Sequence, residues 1–258
     1  MNKIDRLFES KHDGLLSVYF TGGFPQKDST VEIITELASA GVDMIEVGVP
    51  FSDPLADGVV IQGSSTVALK NGMTLELLLT QVAEARKVAT DIPLVLMGYL
   101  NPMMQFGIER LFARCKEVGI DALIIPDLPF NEYMREYKAL CRKYDLPIIM
   151  LITPETSDER IRLIDEHCDG FIYMVSTAST TGTKDRFSDE QVAYFNHINS
   201  MSLRHNRLIG FGISNPTTYN AACANSSGAI IGSFFIKCLQ SEPDIHSAVH
   251  KLVSTVRG

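Results

Sequence analysis

Tryptophan is absent from this chain, cysteine and histidine are sparse, and positive charge is outnumbered: 23 Lys and Arg stand against 31 Asp and Glu in 258 residues, a formal net charge of −8. Each shortage excludes something. An acidic chain with a sequence pI near 5.3 is a poor partner for a phosphate backbone, so no nucleic acid is expected as a ligand. No apolar run approaches the roughly 20 residues that a membrane-spanning helix needs. The N-terminal MNKIDRLFESKHDG mixes charges with single apolar residues and lacks the apolar core of a signal peptide. A cytoplasmic protein without a membrane role is therefore expected. The five cysteines, Cys115, Cys141, Cys168, Cys223 and Cys238, are odd in number and far apart, with no C-x-x-C and no Cys/His pair at ligand spacing. They read as reduced, mostly buried thiols, with a catalytic cysteine as the alternative. His246 and His250 are four apart on a predicted helix and make half a metal site at most. They read as a solvated helix face, and no metal is expected.

What the chain does contain is 45% apolar residues, ordinary for a globular protein, in a regular alternation. Short β-branched runs predict strands at Leu15–Phe20, Met44–Val49, Pro93–Gly98, Ala122–Pro126, Pro147–Leu151, Gly170–Val175, Arg207–Phe211 and Ala229–Ile231. Between them, apolar residues three and four apart predict helices at Ser29–Ala40, Thr74–Ala89, Ile108–Val118, Glu132–Tyr144, Ser157–His167, Ser188–Ile198, Asn215–Ala224 and Asp244–Val256, with an extra helix from Asn2 to Ser10. Runs such as PLVLMGY and PIIMLI are apolar at nearly every position, as parallel strands covered on both faces require. Eight βα units in this length predict a single (β/α)8 TIM barrel, one domain over residues 1–258, with a short phosphate-binding helix after strand eight. A doubly wound open sheet is the alternative, but the turn after the first strand, TGGFP, lacks the GxGxxG spacing of nucleotide-binding versions.

In such a barrel the chemistry sits at the C-terminal strand ends. Glu46 interrupts an otherwise apolar second strand, on the same face as Met44 and Gly48. If that face is the barrel interior, burial raises its pKa and suits it to proton exchange near neutrality; otherwise it pairs with a buried Arg or Lys. The following loop, PFSDPLADG, carries Asp53 and Asp57, either paired carboxylates with Glu46 or caps of the next helix. Gly212 and Gly232, with Ser233, end strands seven and eight, where barrels commonly bind phosphate on backbone N–H groups, and Gly182 is placed to complete the cradle; taken singly, each glycine reads as serving a tight turn, and together they read as a phosphate cradle. The Ser/Thr/Gly-rich loop from Thr177 to Asp189 is a mobile lid or an ordinary loop. Tyr173 ends strand six at the same rim, a hydrogen-bond partner for a strand carboxylate or a core tyrosine.

PFSDPLADGVVIQ after a strand glutamate, together with YFTGGFP, MGYLNP, IIPDLP, GFGIS and IIGS, resembles the tryptophan synthase alpha chain family across nearly the whole chain. The resemblance implies a TIM barrel that cleaves indole-3-glycerol phosphate to indole and glyceraldehyde 3-phosphate. It implies no cofactor in this chain, with pyridoxal phosphate only in a partner beta chain of an αββα complex. It implies catalytic roles for Glu46 and Asp57, a supporting Tyr173, and phosphate binding by Gly182, Gly212, Gly232 and Ser233. An indole pocket of Tyr19, Phe20, Ile61, Tyr99 and Ile124 is implied as well. The chain departs from the family pattern at Val59, usually Pro, and at Ser179 and Thr180, usually Gly-Val. Beside the synthase reading stand a stand-alone lyase releasing free indole, another phosphate-sugar barrel enzyme, and a non-catalytic phosphate-binding subunit.

Overall fold

The computed structural model describes residues 2–176 and 186–257. In chain order its elements are α1 (Lys3–Ser10), β1 (Leu15–Thr21), α2 (Ser29–Ser39), β2 (Met44–Gly48), α3 (Val59–Lys70), α4 (Leu75–Arg86), β3 (Leu94–Met97), α5 (Leu100–Phe106), α6 (Ile108–Val118), β4 (Ala122–Ile124), α7 (Phe130–Glu132), a π-helical turn (Tyr133–Tyr137), α8 (Lys138–Tyr144), β5 (Ile148–Ile152), α9 (Asp158–His167), β6 (Phe171–Val175), α10 (Asp189–Ser200), β7 (Asn206–Gly210), α11 (Pro216–Asn225), β8 (Gly228–Ile231), α12 (Ser233–Ser241) and α13 (Ile245–Arg257). The strands close into a barrel in the order β1 to β8, every neighbouring pair parallel. This is the expected TIM barrel.

Local chemistry sets the element ends. Asn2 caps α1 with its side chain on the Ile4 N–H while Asp5 reaches back to the Asn2 N–H. Ser188 with Gln191 does the same for α10, and Asn215 followed by Pro216 opens α11. Helix α1 closes the N-terminal end of the barrel, burying Ile4 and Phe8, with the Phe8 ring 5.8 Å from Phe171.

Two helices lack the expected apolar period. The buried face of α3 is Ile61, Ser64, Ser65 and Ala68, correctly spaced but half serine, so hydrophobicity does not reveal it. In α5, Pro102 falls in the first turn, where its missing N–H is not needed. The single helix expected over Glu132–Tyr144 is interrupted by the π-helical turn at Tyr133–Tyr137, which buries Tyr133 and Tyr137.

Register fixes which side chains enter the barrel. Tyr19, Glu46 and Val95 lie side by side on β1, β2 and β3; the next row toward the C-terminal rim is Thr21, Gly48, Met97 and Ile124. On β1 the inward face is therefore Ser17, Tyr19 and Thr21, and the outward face Leu16, Val18 and Phe20.

Candidate active site

Glu46 is completely buried at the centre of the inward face. Among the described residues no Arg or Lys pairs with it. Its Oε1 accepts a 2.8 Å hydrogen bond from the Ser17 hydroxyl on β1, and Oε2 has no hydrogen-bond partner among the described residues. Burial disfavours the carboxylate and pushes its pKa up to about 7, the Ser17 donor working in the opposite direction.

Asp57 is in the loop between β2 and α3. It does not cap the helix: Gly58 occupies that position, without a side-chain cap. The Asp57 carboxylate instead takes a 3.0 Å hydrogen bond from the Tyr99 hydroxyl, and its backbone carbonyl accepts from Gln62 Nε2 at 2.7 Å. Burial raises its pKa, and the Tyr99 bond moderates the rise. Asp53 is exposed and bonds its neighbour Ser52, so it does not join the pair.

Two tyrosines face the carboxylates. Tyr19 and Tyr173 are buried, and the fields of both Glu46 and Asp57 help to push their hydroxyl pKa values up, after burial itself. The Tyr173 hydroxyl does not hydrogen-bond Glu46, whose bond is to Ser17. Each ring lies over a glycine of the neighbouring strand. A β-carbon on Gly48 would stand 2.7 Å from Tyr19 Cε2, and one on Gly210 would stand 2.6 Å from Tyr173 Cε1. Sequence reading places Gly48 on the Glu46 face without giving it a role, and assigns none to Ser17 or Gly210. Inward alternation marks all three, but only the register of β1 with β2 and of β6 with β7 shows what they face.

Among the residues assigned to an indole pocket, Tyr19 and Ile124 point inward, Ile61 is buried on α3, and Tyr99 is buried with its ring 5.3 Å from Phe51. Phe20 does not join them. Strand alternation turns it outward with Val47, into the layer between sheet and helices, where it is fully buried.

At the rim, Gly212 and Gly232 each lie two residues beyond the paired Gly210 and Ile230 of β7 and β8. Gly212 adopts a positive φ of 78°, following Phe211 at 71°, and among the described residues nothing lies within 4 Å of where its β-carbon would be. Gly232 is the N-cap of α12 and Ser233 its first residue, so the first N–H groups of that helix lack intrahelical acceptors. Gly182, Ser179 and Thr180 lie outside the described residues. His246 pairs with Glu36 at 2.8 Å, and among the described residues no cluster of His, Cys, Asp or Glu has a metal-binding arrangement.

Residues 6–257 match the family model described as the tryptophan synthase alpha chain. The chain belongs to that family. It is 54% identical to the tryptophan synthase alpha chain of Parabacteroides distasonis over the full length of both, and 53% identical to that of Bacteroides fragilis, covering 98% of this chain and 95% of the other. Among solved structures, the alpha chain from Legionella pneumophila superposes with a TM-score of 0.88 at 31% identity, covering 100% of this chain and 96% of that one. A tryptophan synthase alpha chain is a lyase that cleaves indole-3-glycerol phosphate to indole and glyceraldehyde 3-phosphate, in the service of tryptophan biosynthesis. Alpha chains carry no cofactor; pyridoxal phosphate belongs to the beta chain with which they form tryptophan synthase. No described helix of this alpha chain is long and apolar enough to cross a membrane.

Proposed function

We propose that Glu46 and Asp57 divide the work of the cleavage. The observation that carries this reading is the burial of Glu46 on the inward face, with a pKa raised to about 7, which leaves its carboxyl close to half protonated near neutrality. Protonated Glu46 gives its proton to indole C3. The ring nitrogen becomes positive, and ionised Asp57 accepts its N–H and stabilises that charge. Glu46, now a carboxylate, removes the proton from the hydroxyl on the adjoining side-chain carbon. The carbon–carbon bond breaks, its electron pair restores the indole ring, the aldehyde forms, and Glu46 is protonated again. The Tyr99 donor supports Asp57 in the ionised form.

The phosphate binds to backbone N–H groups at Gly212, Gly232 and the start of α12, with the Ser233 hydroxyl and Gly182. The positive φ of Gly212, with no described residue within 4 Å of its β-carbon position, and the helix start at Ser233 support this. Such a cradle reconciles a phosphorylated substrate with a net charge of −8. Tyr19, Ile61, Tyr99 and Ile124 line the indole, with Tyr173 as a supporting wall. The chain works as one domain in the cytoplasm; its free cysteines, mostly buried, are what a reducing compartment expects. Indole passes to the beta chain of an αββα complex.

The test is indole release from indole-3-glycerol phosphate, with and without a beta chain. Equal amounts of indole and glyceraldehyde 3-phosphate are expected, faster with the beta chain. Tight substrate binding without release would leave a non-catalytic binding subunit. Full activity with no complex on size exclusion at micromolar concentration would leave a stand-alone lyase.

A further inference from the structure

We infer that Ser17 is a positioning residue for the cleavage: its hydroxyl holds Oε1 of Glu46 as an acceptor and so directs the working proton to Oε2. This rests on the role given to Glu46 above. The geometry is specific. Ser17 lies on the inward face of β1, one row below the Tyr19–Glu46 pair, and its side chain crosses diagonally to the next strand. Both residues are completely buried, and the bond is 2.8 Å. A hydroxyl has one proton, and here it is given to Oε1. A neutral carboxylic acid keeps its own proton on the oxygen that is not already accepting. Oε2, with no partner among the described residues, is that oxygen. Without Ser17 the proton is free to sit on either oxygen, and the carboxyl is free to turn.

Among the described residues, the groups that face Glu46 are few. Tyr19 projects from β1, Tyr173 from β6 and Asp57 stands in the loop after β2, while β3 offers Val95 beside it. None of these is a cation. Among the described residues, the Ser17 hydroxyl is the influence besides burial that moves the Glu46 titration, and it favours the ionised form. Since Glu46 starts the reaction protonated, kcat falls as pH rises through its pKa. Removing the Ser17 donor moves that limb to higher pH.

Three variants test this. In Ser17→Ala the alkaline limb of kcat is expected to move up by about half a unit or more, and kcat on the plateau to fall about tenfold with little change in KM. Ser17→Thr, which keeps a hydroxyl, is expected to restore both. A limb that stays in place in Ser17→Ala overturns the inference, whether or not kcat falls, because packing alone would leave the titration where it was. Glu46→Gln is the control for the underlying reading: normal turnover in that variant removes Glu46 from the chemistry whatever Ser17→Ala does.

Discussion

The Tyr99 hydroxyl donates to Oδ2 of Asp57 and accepts from the Ala56 N–H, each at 3.0 Å, so one phenol just beyond β3 ties down both the carboxylate and the backbone of the loop after β2. Tyr99→Phe removes both bonds and leaves the ring against Phe51. A hydrogen bond to a charged group contributes about 1.5–3 kcal/mol, so kcat/KM is expected to fall roughly 10- to 100-fold. Asp57 loses the donor that opposes its burial, so its pKa rises further and the acid limb of the profile moves to higher pH. An unchanged acid limb would mean that the bond does not bear on the working state of Asp57.

The wild-type profile itself should be bell-shaped. Activity rises as Asp57 ionises and falls as Glu46 loses its proton, with the falling limb near pH 7. Steady-state kcat measured from pH 5 to 9 checks this. A rate that keeps rising beyond pH 8 would contradict the assignment of Glu46 as the initial acid.

Burial of Glu46 also carries a stability cost with a definite pH window. Its folded pKa, about 7, exceeds the ordinary value of 4.5. Between those values the unfolded carboxyl ionises while the folded one keeps its proton, so stability present below pH 4.5 is lost as pH rises through 7. The loss is at most about 3 kcal/mol. Glu46→Gln removes it, so its Tm should exceed the wild-type Tm at pH 8 and converge with it at pH 4.5. Parallel Tm curves across that range would show that Glu46 does not titrate with a raised pKa.

Gly48 clears the space that Tyr19 occupies. Gly48→Ala places a methyl against that ring in a buried layer, and overpacking of this kind costs about 1–3 kcal/mol. The expected result is a lower Tm together with lost activity. Adding Tyr19→Leu should recover part of the stability but not the activity. If the two substitutions add independently in a thermal-melt cycle, Tyr19 is not what Gly48 makes room for.

Much of this architecture was legible because it is periodic. The eight strands were visible as apolar runs, and Glu46 as the one carboxylate inside such a run. Asp57 was visible as a loop acid, but the hydroxyl that holds it comes from 42 positions further along the chain, which no local pattern indicates. Ser17 looks like an ordinary strand residue until the pairing of β1 with β2 sets it against Glu46. Phe20 shows the opposite failure. It is aromatic and next to Tyr19, yet a strand sends neighbours to opposite faces, and it packs under the helices. Helix α3 was missed because two of its four buried positions are serines, one of which, Ser64, is hydrogen-bonded to Thr21 at 2.7 Å.

The loop after β2 and the start of α3 also expose Leu55 and Val59, at 86% and 81% relative accessibility. Apolar side chains this exposed at the active-site rim fit a surface that is covered in the complex with the beta chain. Leu55→Asp and Val59→Asp should each leave the Tm of the isolated chain within about 0.5 kcal/mol equivalent of wild type while weakening complex formation on titration calorimetry. Undiminished affinity in both variants would place the contact elsewhere.

The role of Glu46 is tested most directly by single-turnover indole release in Glu46→Gln at saturating indole-3-glycerol phosphate, with substrate affinity measured on the same protein. Glutamine fills the same volume and can still accept from Ser17, but it can neither give nor take the proton. Binding within a few-fold of wild type with release slowed by about 100-fold or more is the expected result. Release at the wild-type rate would contradict it.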